Sequence, residues 1–257
     1  MQEPWFASIR PLIEATDPRR AGVLDLDALN RLARQAGLAT AAGLPLRFID
    51  AQQAPAVPYE QAIRDSGQVP TRLRPPGMLH DWFNALAWLA FPCLKARLNE
   101  LQAAAIDAAG IGAQRGALRD AITLFDESGV LFVCNDAQWV DALRSFDWER
   151  LFAAQRSRFA EAVAVHVVGH ALHEKLLAPY KALCGHAWVV QADPRTPLAE
   201  LDREVAQTLS AQTLQRRAFS PLPLLGIPGW WPANEDPLFY NDPAVFRGGR
   251  ANAPNRT

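Results

Sequence analysis

The sequence has no excess of either charge. Its 257 residues include 26 lysines and arginines against 27 aspartates and glutamates, for a formal net charge of -1. No long run of one sign occurs. The composition therefore disfavours a nucleic-acid-binding surface over the whole protein and leaves open only a local basic groove.

Cysteine is scarce. Cys93, Cys134 and Cys184 are widely spaced and odd in number, which fits neither a disulfide framework nor a paired-cysteine metal site. A reducing compartment is the simplest interpretation of this pattern. We expect all three thiols to be small buried side chains.

The sequence also shows no signal-peptide pattern at residues 1–5 and no membrane-spanning apolar run. Residues 1–5 do not combine a basic start with an apolar stretch, and no apolar run approaches the roughly 20 residues that cross a bilayer. These absences predict a soluble, cytoplasmic protein with no membrane partner. Because 49% of the residues are hydrophobic, we expect one domain over residues 1–257; the oligomeric state stays unknown.

The signature motifs of nucleotide chemistry are absent as well. No phosphate loop or nucleophile elbow occurs, and residues 110–112 lack the third glycine of a dinucleotide fingerprint. The sequence therefore leaves the cofactor unknown.

Helical and strand patterns alternate along the chain. They predict an α+β fold, helix-rich, with a small antiparallel or mixed sheet. Helices are predicted within 5–38, at 58–63, over 81–109 with either a kink or a break at Pro92, at 136–177 where Asp147 could interrupt the helix, and at 198–214. Strands are predicted at 46–49, 121–125, 130–134 and 187–191, with 126–129 as a hairpin turn. From about residue 220, a segment rich in proline, glycine and tryptophan is expected to wrap the body as ordered coil.

Polar residues interrupt an aromatic-rich helical pattern at His80, Asp81 and Asn84. Burying such groups costs several kcal/mol unless each finds a partner, so the cluster is either a structural network or a site. As a site, it would use His80 as a general acid or base and Asn84 to hold a substrate group. As structure, Asp81 would cap the helix.

Three of the five histidines lie within 166–173. On one helix, His166, His170 and Glu174 would follow at four-residue steps and could converge on a divalent metal ion. The pattern departs from the metalloprotease HExxH motif. The competing interpretation is a polar helix face, so the metal stays unknown.

Basic and acidic residues elsewhere are candidates for substrate binding. Arg119 and Asp120 precede the predicted hairpin, and Arg115 could complete an anion clamp with Arg119 if that stretch is helical. A structural ion pair is the alternative. Lys175 is a further candidate for substrate binding.

Four ordered segments resemble one bacterial family. The segments HDWFNALAWLAFPCLKARLN (80–99), RDAITLFDESG (119–129), GHALHEKLLAPY (169–180) and PLLGIPGWWPANEDPLFYNDPAVFR (223–247) are similar to a family catalogued as a domain of unknown function, DUF3025. The resemblance implies no activity, cofactor or fold. It implies a polar pattern of His80, Asp81, Asn84, Lys95, Asn99, Arg119, Asp120, Asp126, Glu127, His170, Glu174, Lys175 and Tyr180. His166 and His173 lie outside that pattern.

Two functional hypotheses follow from these residues. The first is a hydrolase, metal-assisted or not, that acts on a small-molecule ligand. Its candidate catalytic residues are His80, Asp81, Asn84, His170 and Glu174, and its candidate substrate-binding residues are Arg119, Asp120 and Lys175. The alternative is a noncatalytic binding or scaffold protein that recognises RNA or an acidic partner. It would use the tryptophan-rich tail with Arg72, Arg74, Arg115 and Arg119.

Overall fold

The computed structural model describes residues 1–109, 116–215 and 219–248. Its α-helices are α1 (Arg10–Thr16), α2 (Leu26–Gln35), α3 (Tyr59–Ser66), α4 (Met78–Ala90), α5 (Pro92–Ala109), α6 (Ala117–Ser128), α7 (Ala137–Ser145), α8 (Arg156–Ala162), α9 (His170–Lys175), α10 (Leu198–Thr208) and α11 (Ala211–Gln215). Its strands are β1 (Arg47–Asp50), β2 (Gln68–Thr71), β3 (Gly129–Val133), β4 (Ala164–Val167), β5 (Cys184–Val190) and β6 (Ser220–Pro223). The predicted helix-rich α+β class is confirmed.

The strands form two small sheets. β1 and β2 pair in parallel, with Arg47 opposite Gln68. The larger sheet has the order β4-β3-β5-β6; β3 and β5 are parallel, and the two outer strands are antiparallel to their neighbours. Every residue of β3 is buried. The larger sheet is thus mixed and has β3 in its buried interior.

The predicted hairpin at 121–134 is wrong. Its first half is the end of α6, which leads directly into β3 at Gly129. Ile122 and Phe125 are buried three residues apart, which is the spacing of an amphipathic helix. Residues 126–128, which the sequence assigned to a hairpin turn, therefore form the last turn of helix α6. Asp126 consequently lies beside the start of α9.

The break at Pro92 is confirmed, and it separates α4 from α5. Proline suits the first turn of a helix because it lacks the N–H that would have no partner there. The buried Asp202 of α10 accepts hydrogen bonds from the backbone N–H groups of Cys93 and Leu94, at 2.9 and 2.8 Å. Burial raises the pKa of Asp202. This contact fixes the start of α5, the helix that carries Lys95.

Helices α4 and α9 pack together. Six apolar residues in or next to these helices are buried: Trp82, Phe83, Leu86, Leu89, Leu172 and Leu176. The helical prediction for 136–177 is wrong at β4. Residues 164–167 form this strand, which ends before α9 begins at His170.

The three cysteines differ in their exposure to solvent. Cys134 is buried and Cys184 is half-buried, but Cys93 is exposed, so the expectation of three buried thiols is wrong.

From residue 220 the chain forms β6 and short 3₁₀ turns, with Trp230 and Trp231 packed against the core. Organisation as one domain over 1–257 stays a prediction. None of the described helices combines the length and apolarity that crossing a bilayer requires.

His173 is a fully buried imidazole that packs beside two aromatic rings. Its ring centroid lies 6.1 Å from that of Phe6 and 5.8 Å from that of Phe83, and all three rings are nearly parallel. Neither ring nitrogen has a hydrogen-bond partner among the described residues. Burial lowers the pKa of His173 to about 3, so the ring is neutral in the folded protein.

Substitution of His173 by phenylalanine is expected to stabilise the protein in acid. The folded-state pKa is lowered, so between pH 6.5 and 3 the unfolded chain binds a proton that the folded chain does not. At pH 5 this linkage costs the wild type about 2 kcal/mol, which the variant does not lose. Urea unfolding at pH 5 and pH 8 measures the gain. An equal gain at both pH values would contradict this explanation.

Candidate functional site

His80 lies in the first turn of α4 and contacts two residues of α9. Its Nδ1 atom is 3.1 Å from Oε2 of Glu174, and its Nε2 atom is 3.1 Å from Nε2 of His170. The two imidazole rings meet edge to face, with centroids 4.6 Å apart. His80 therefore contacts two other predicted catalytic residues, His170 and Glu174, which come from a distant region of the sequence.

His170 is the first residue of α9, and the end of α6 fixes its position. Its Nδ1 atom is 2.8 Å from the backbone carbonyl oxygen of Asp126 and 3.5 Å from carboxylate Oδ2 of the same residue. The preceding Gly169 packs so closely that a Cβ atom there would lie 2.4 Å from the carbonyl oxygen of Glu127. Burial lowers the pKa of His170 to about 4. The neutral ring is thus held rigidly against the last turn of α6.

The hydrogen bonds of the two rings determine where their protons lie. The carboxylate of Glu174 and the carbonyl oxygen of Asp126 are acceptors, so each facing Nδ1 atom must donate. In two neutral rings, both Nε2 atoms then carry lone pairs and face each other at 3.1 Å. A shared proton, a metal cation, or a water molecule that donates to both atoms would satisfy that arrangement.

Lys95 of α5 organises a second polar group beside the histidines. Its ammonium forms an ion pair with Asp126 and donates to Oδ1 of Asn84 at 2.9 Å. The amide of Asn84 in turn donates to the hydroxyl of Tyr59 at 2.7 Å. Burial alone would raise the pKa of Asp126, but the Lys95 ammonium helps to hold it below its usual value. Burial raises the pKa of Tyr59, whose hydroxyl therefore stays protonated.

Asp81 points to a different partner. Arg72 donates to it from Nε and Nη2 at 2.8 and 2.7 Å, and also from its backbone N–H at 2.6 Å. The carboxylate therefore ties the chain after β2 to the first turn of α4. Asp81 also borders a cavity, and its carboxylate accepts hydrogen bonds from Arg72 there; its catalytic role stays a prediction.

A cavity of about 390 Å³ opens beside these groups. The predicted catalytic residues that line it are His80, Asp81, Asn84 and His170, and Glu174 supports His80 from outside the lining. Arg119, Asp120 and Lys175 do not line this cavity. Their role in substrate binding stays a prediction, and Arg115 lies outside the described residues.

The predicted metal stripe on one helix is wrong. His166 lies in β4, where its Nδ1 atom is 3.0 Å from the hydroxyl of Ser8. Only His170 and Glu174 of that trio belong to α9. Across the part of the chain that the structure describes, no group of three or more histidine, cysteine, aspartate or glutamate side chains could hold a metal ion.

Reasoning from individual residues missed Lys95, Asp126 and Tyr59 as members of the site. The resemblance alone pointed to the first two. A signal was available in α5, where Lys95, Asn99 and Gln102 follow at steps of four and three residues among apolar neighbours. All three are buried and line the cavity. A charged residue inside a helical polar stripe is therefore the pattern to search for.

Comparison with protein-family models identifies a family. A family model described as "Protein of unknown function (DUF3025)" matches residues 46–250, which include every residue of the cavity lining. Searches against curated proteins and against solved structures found no match.

Proposed function

We propose that this chain, which belongs to the DUF3025 family, is a hydrolase that acts on a small polar molecule and has His80 and His170 at its reacting centre. The observation that carries the proposal is the meeting of the two Nε2 atoms at 3.1 Å on the wall of a polar cavity. A cavity of about 390 Å³ suits a small ligand.

The histidine pair supplies what water attack requires. The Nε2 atoms of His80 and His170 are the ring atoms without a protein oxygen partner, so they can hold and activate a water molecule. Glu174 and the Asp126 carbonyl oxygen accept from the opposite ring nitrogens and fix both ring orientations. The carboxylate of Glu174 also stabilises positive charge that develops on His80.

Lys95 and its hydrogen-bonded partners provide a polar wall for the substrate. Lys95, Asn84 and Asp126 are linked by hydrogen bonds and all line the cavity. A buried ammonium on this wall stabilises negative charge that forms on a substrate oxygen. Because the wall is already paired internally, it is organised before a ligand binds.

Two observations weigh against the binding or scaffold hypothesis. Arg72, one of the arginines in its proposed basic surface, is engaged with Asp81. Trp230 and Trp231 are partly buried against the core, and this leaves little of them for a partner. A concave polar cavity instead favours a small ligand.

The test uses water labelled with ¹⁸O. Wild-type protein and the His80→Ala variant are each incubated with a mixture of small polar metabolites, and products are followed by mass spectrometry. We expect one substrate class to be consumed only by the wild type, with ¹⁸O incorporated into a product. Consumption without ¹⁸O incorporation, or no difference between the two proteins, would overturn the assignment.

A further inference from the structure

The two facing lone pairs of the histidine pair also identify a ligand. We propose that His80 and His170 bind one divalent first-row transition-metal ion through their Nε2 atoms, with the other coordination positions open to water and substrate. Among the residues that the structure describes, these two side chains are the protein ligands of the proposed site. The proposed site thus differs from the metal stripe expected from the sequence, which placed His166 and Glu174 beside His170 on one helix.

The contacts on the far side of each ring are those of metal ligands. A histidine that binds a metal ion almost always donates its other ring N–H to a carboxylate or a backbone carbonyl oxygen. His80 has the first kind of partner in Glu174, and His170 has the second kind in the Asp126 carbonyl. Both lone pairs are therefore aimed from rings whose orientation is already fixed.

The distance between the lone pairs fits one ion. With metal–nitrogen bonds of about 2.0–2.1 Å, nitrogens 3.1 Å apart subtend an angle of about 95–100° at the metal. That angle lies between the octahedral and tetrahedral values. The observed separation of the two nitrogen atoms therefore suits ligation of a single ion.

The chemistry of the ligands selects the class of metal. Imidazole nitrogens suit zinc, copper, nickel and iron, whereas magnesium and calcium prefer oxygen ligands. The carboxylates of Glu174 and Asp126 lie behind the two rings, where they offset the positive charge of the ion. Since the described residues contain no group of three potential ligands, two coordination positions or more are left for water and substrate.

The inference deepens the proposed function, on which its catalytic meaning rests. A metal ion at this point lowers the pKa of bound water and so generates the attacking hydroxide near neutral pH. A proton shared between the two Nε2 atoms is the rival occupant of the same gap. Metal binding is measured without turnover, so the two proposals can fail separately.

Titration of chelator-treated full-length protein with zinc, followed by isothermal calorimetry, tests the site. We expect one zinc ion per chain, and cobalt should give the absorption bands of nitrogen-ligated Co²⁺. His80→Ala and His170→Ala should each weaken zinc binding at least a hundredfold. Glu174→Gln should weaken it about tenfold to a hundredfold, since it removes only the partner of a ligand. His186→Ala, which changes a histidine outside the cavity lining, should bind like the wild type.

Wild-type protein that binds no zinc, or His80→Ala protein that binds it with unchanged affinity, would overturn the proposal. Circular dichroism identifies any variant that fails to fold; should His170→Ala fail, the partly exposed His80 still carries the test. ¹⁸O incorporation by metal-free protein would leave the hydrolase proposal standing and remove the metal. Stoichiometric zinc at the two histidines without any ¹⁸O product would do the reverse.

Discussion

His80→Ala is expected to lower the rate of ¹⁸O-labelled product formation by about a thousandfold, because positioned acid, base or water-activating groups contribute roughly 10² to 10⁴ in rate. The variant loses one of the two nitrogen atoms that hold the water, and Glu174 no longer has a ring to orient. The His80 side chain is 34% exposed, so water can replace it in the fold. We therefore expect the free energy of unfolding to change by less than about 1 kcal/mol.

The matched control for this prediction is His186→Ala. His186 is a partly buried histidine of β5 that does not line the cavity, so its removal should leave the rate unchanged. Steady-state rates and urea unfolding are measured on both variants. A His80→Ala protein with more than a tenth of the wild-type rate would show that the ring is structural.

Lys95→Met is expected to have the largest effect on stability. The lysine is only 4% exposed, and its ammonium is paired with Asp126 and Asn84. Removing one partner of a buried ion pair costs about 3–5 kcal/mol, because the other charge is left uncompensated. The Asp126 side chain is 27% exposed and so keeps some contact with water, which reduces the expected loss to about 2–4 kcal/mol. Chemical denaturation measures this loss.

A second substitution separates the lost charge balance from lost packing. Asp126→Asn in the Lys95→Met background removes the uncompensated carboxylate but keeps the backbone carbonyl that accepts from His170. We expect the double variant to recover at least about 1 kcal/mol relative to Lys95→Met. A double variant less stable than either single variant would contradict the ion-pair explanation.

Local sequence signals predicted most of the helices. Pro92 interrupts the long helical pattern where expected, between α4 and α5. The failures came where short patterns were ambiguous. Asp126 and Glu127 before Gly129 match a turn as well as a helix end. The burial of Ile122 and Phe125 in the folded protein distinguishes the helix from the turn. His166 fell in a four-residue strand too short to show its own period.

The candidate site was only partly predictable for a related reason. His80 and Asn84 could be identified because polar groups stand out in an aromatic helix. Their partners could not, since nothing in the order of residues says that α6 delivers Asp126 to Lys95 of α5. Asp81 was selected for its neighbours in sequence, yet its carboxylate is committed to Arg72. Proximity along the chain was a poor guide to proximity in space.

The contacts of His80 span long stretches of chain, and this has a consequence for fragments. His80 meets His170 across 90 residues and Glu174 across 94. Closing loops of that length costs entropy that no local contact repays, so the rest of the fold must supply the compensating free energy. Synthetic peptides of residues 80–99 or 169–180 would hold the right side chains without the geometry. The histidine pair is therefore a property of the completed tertiary structure, and it cannot be grafted as a linear motif.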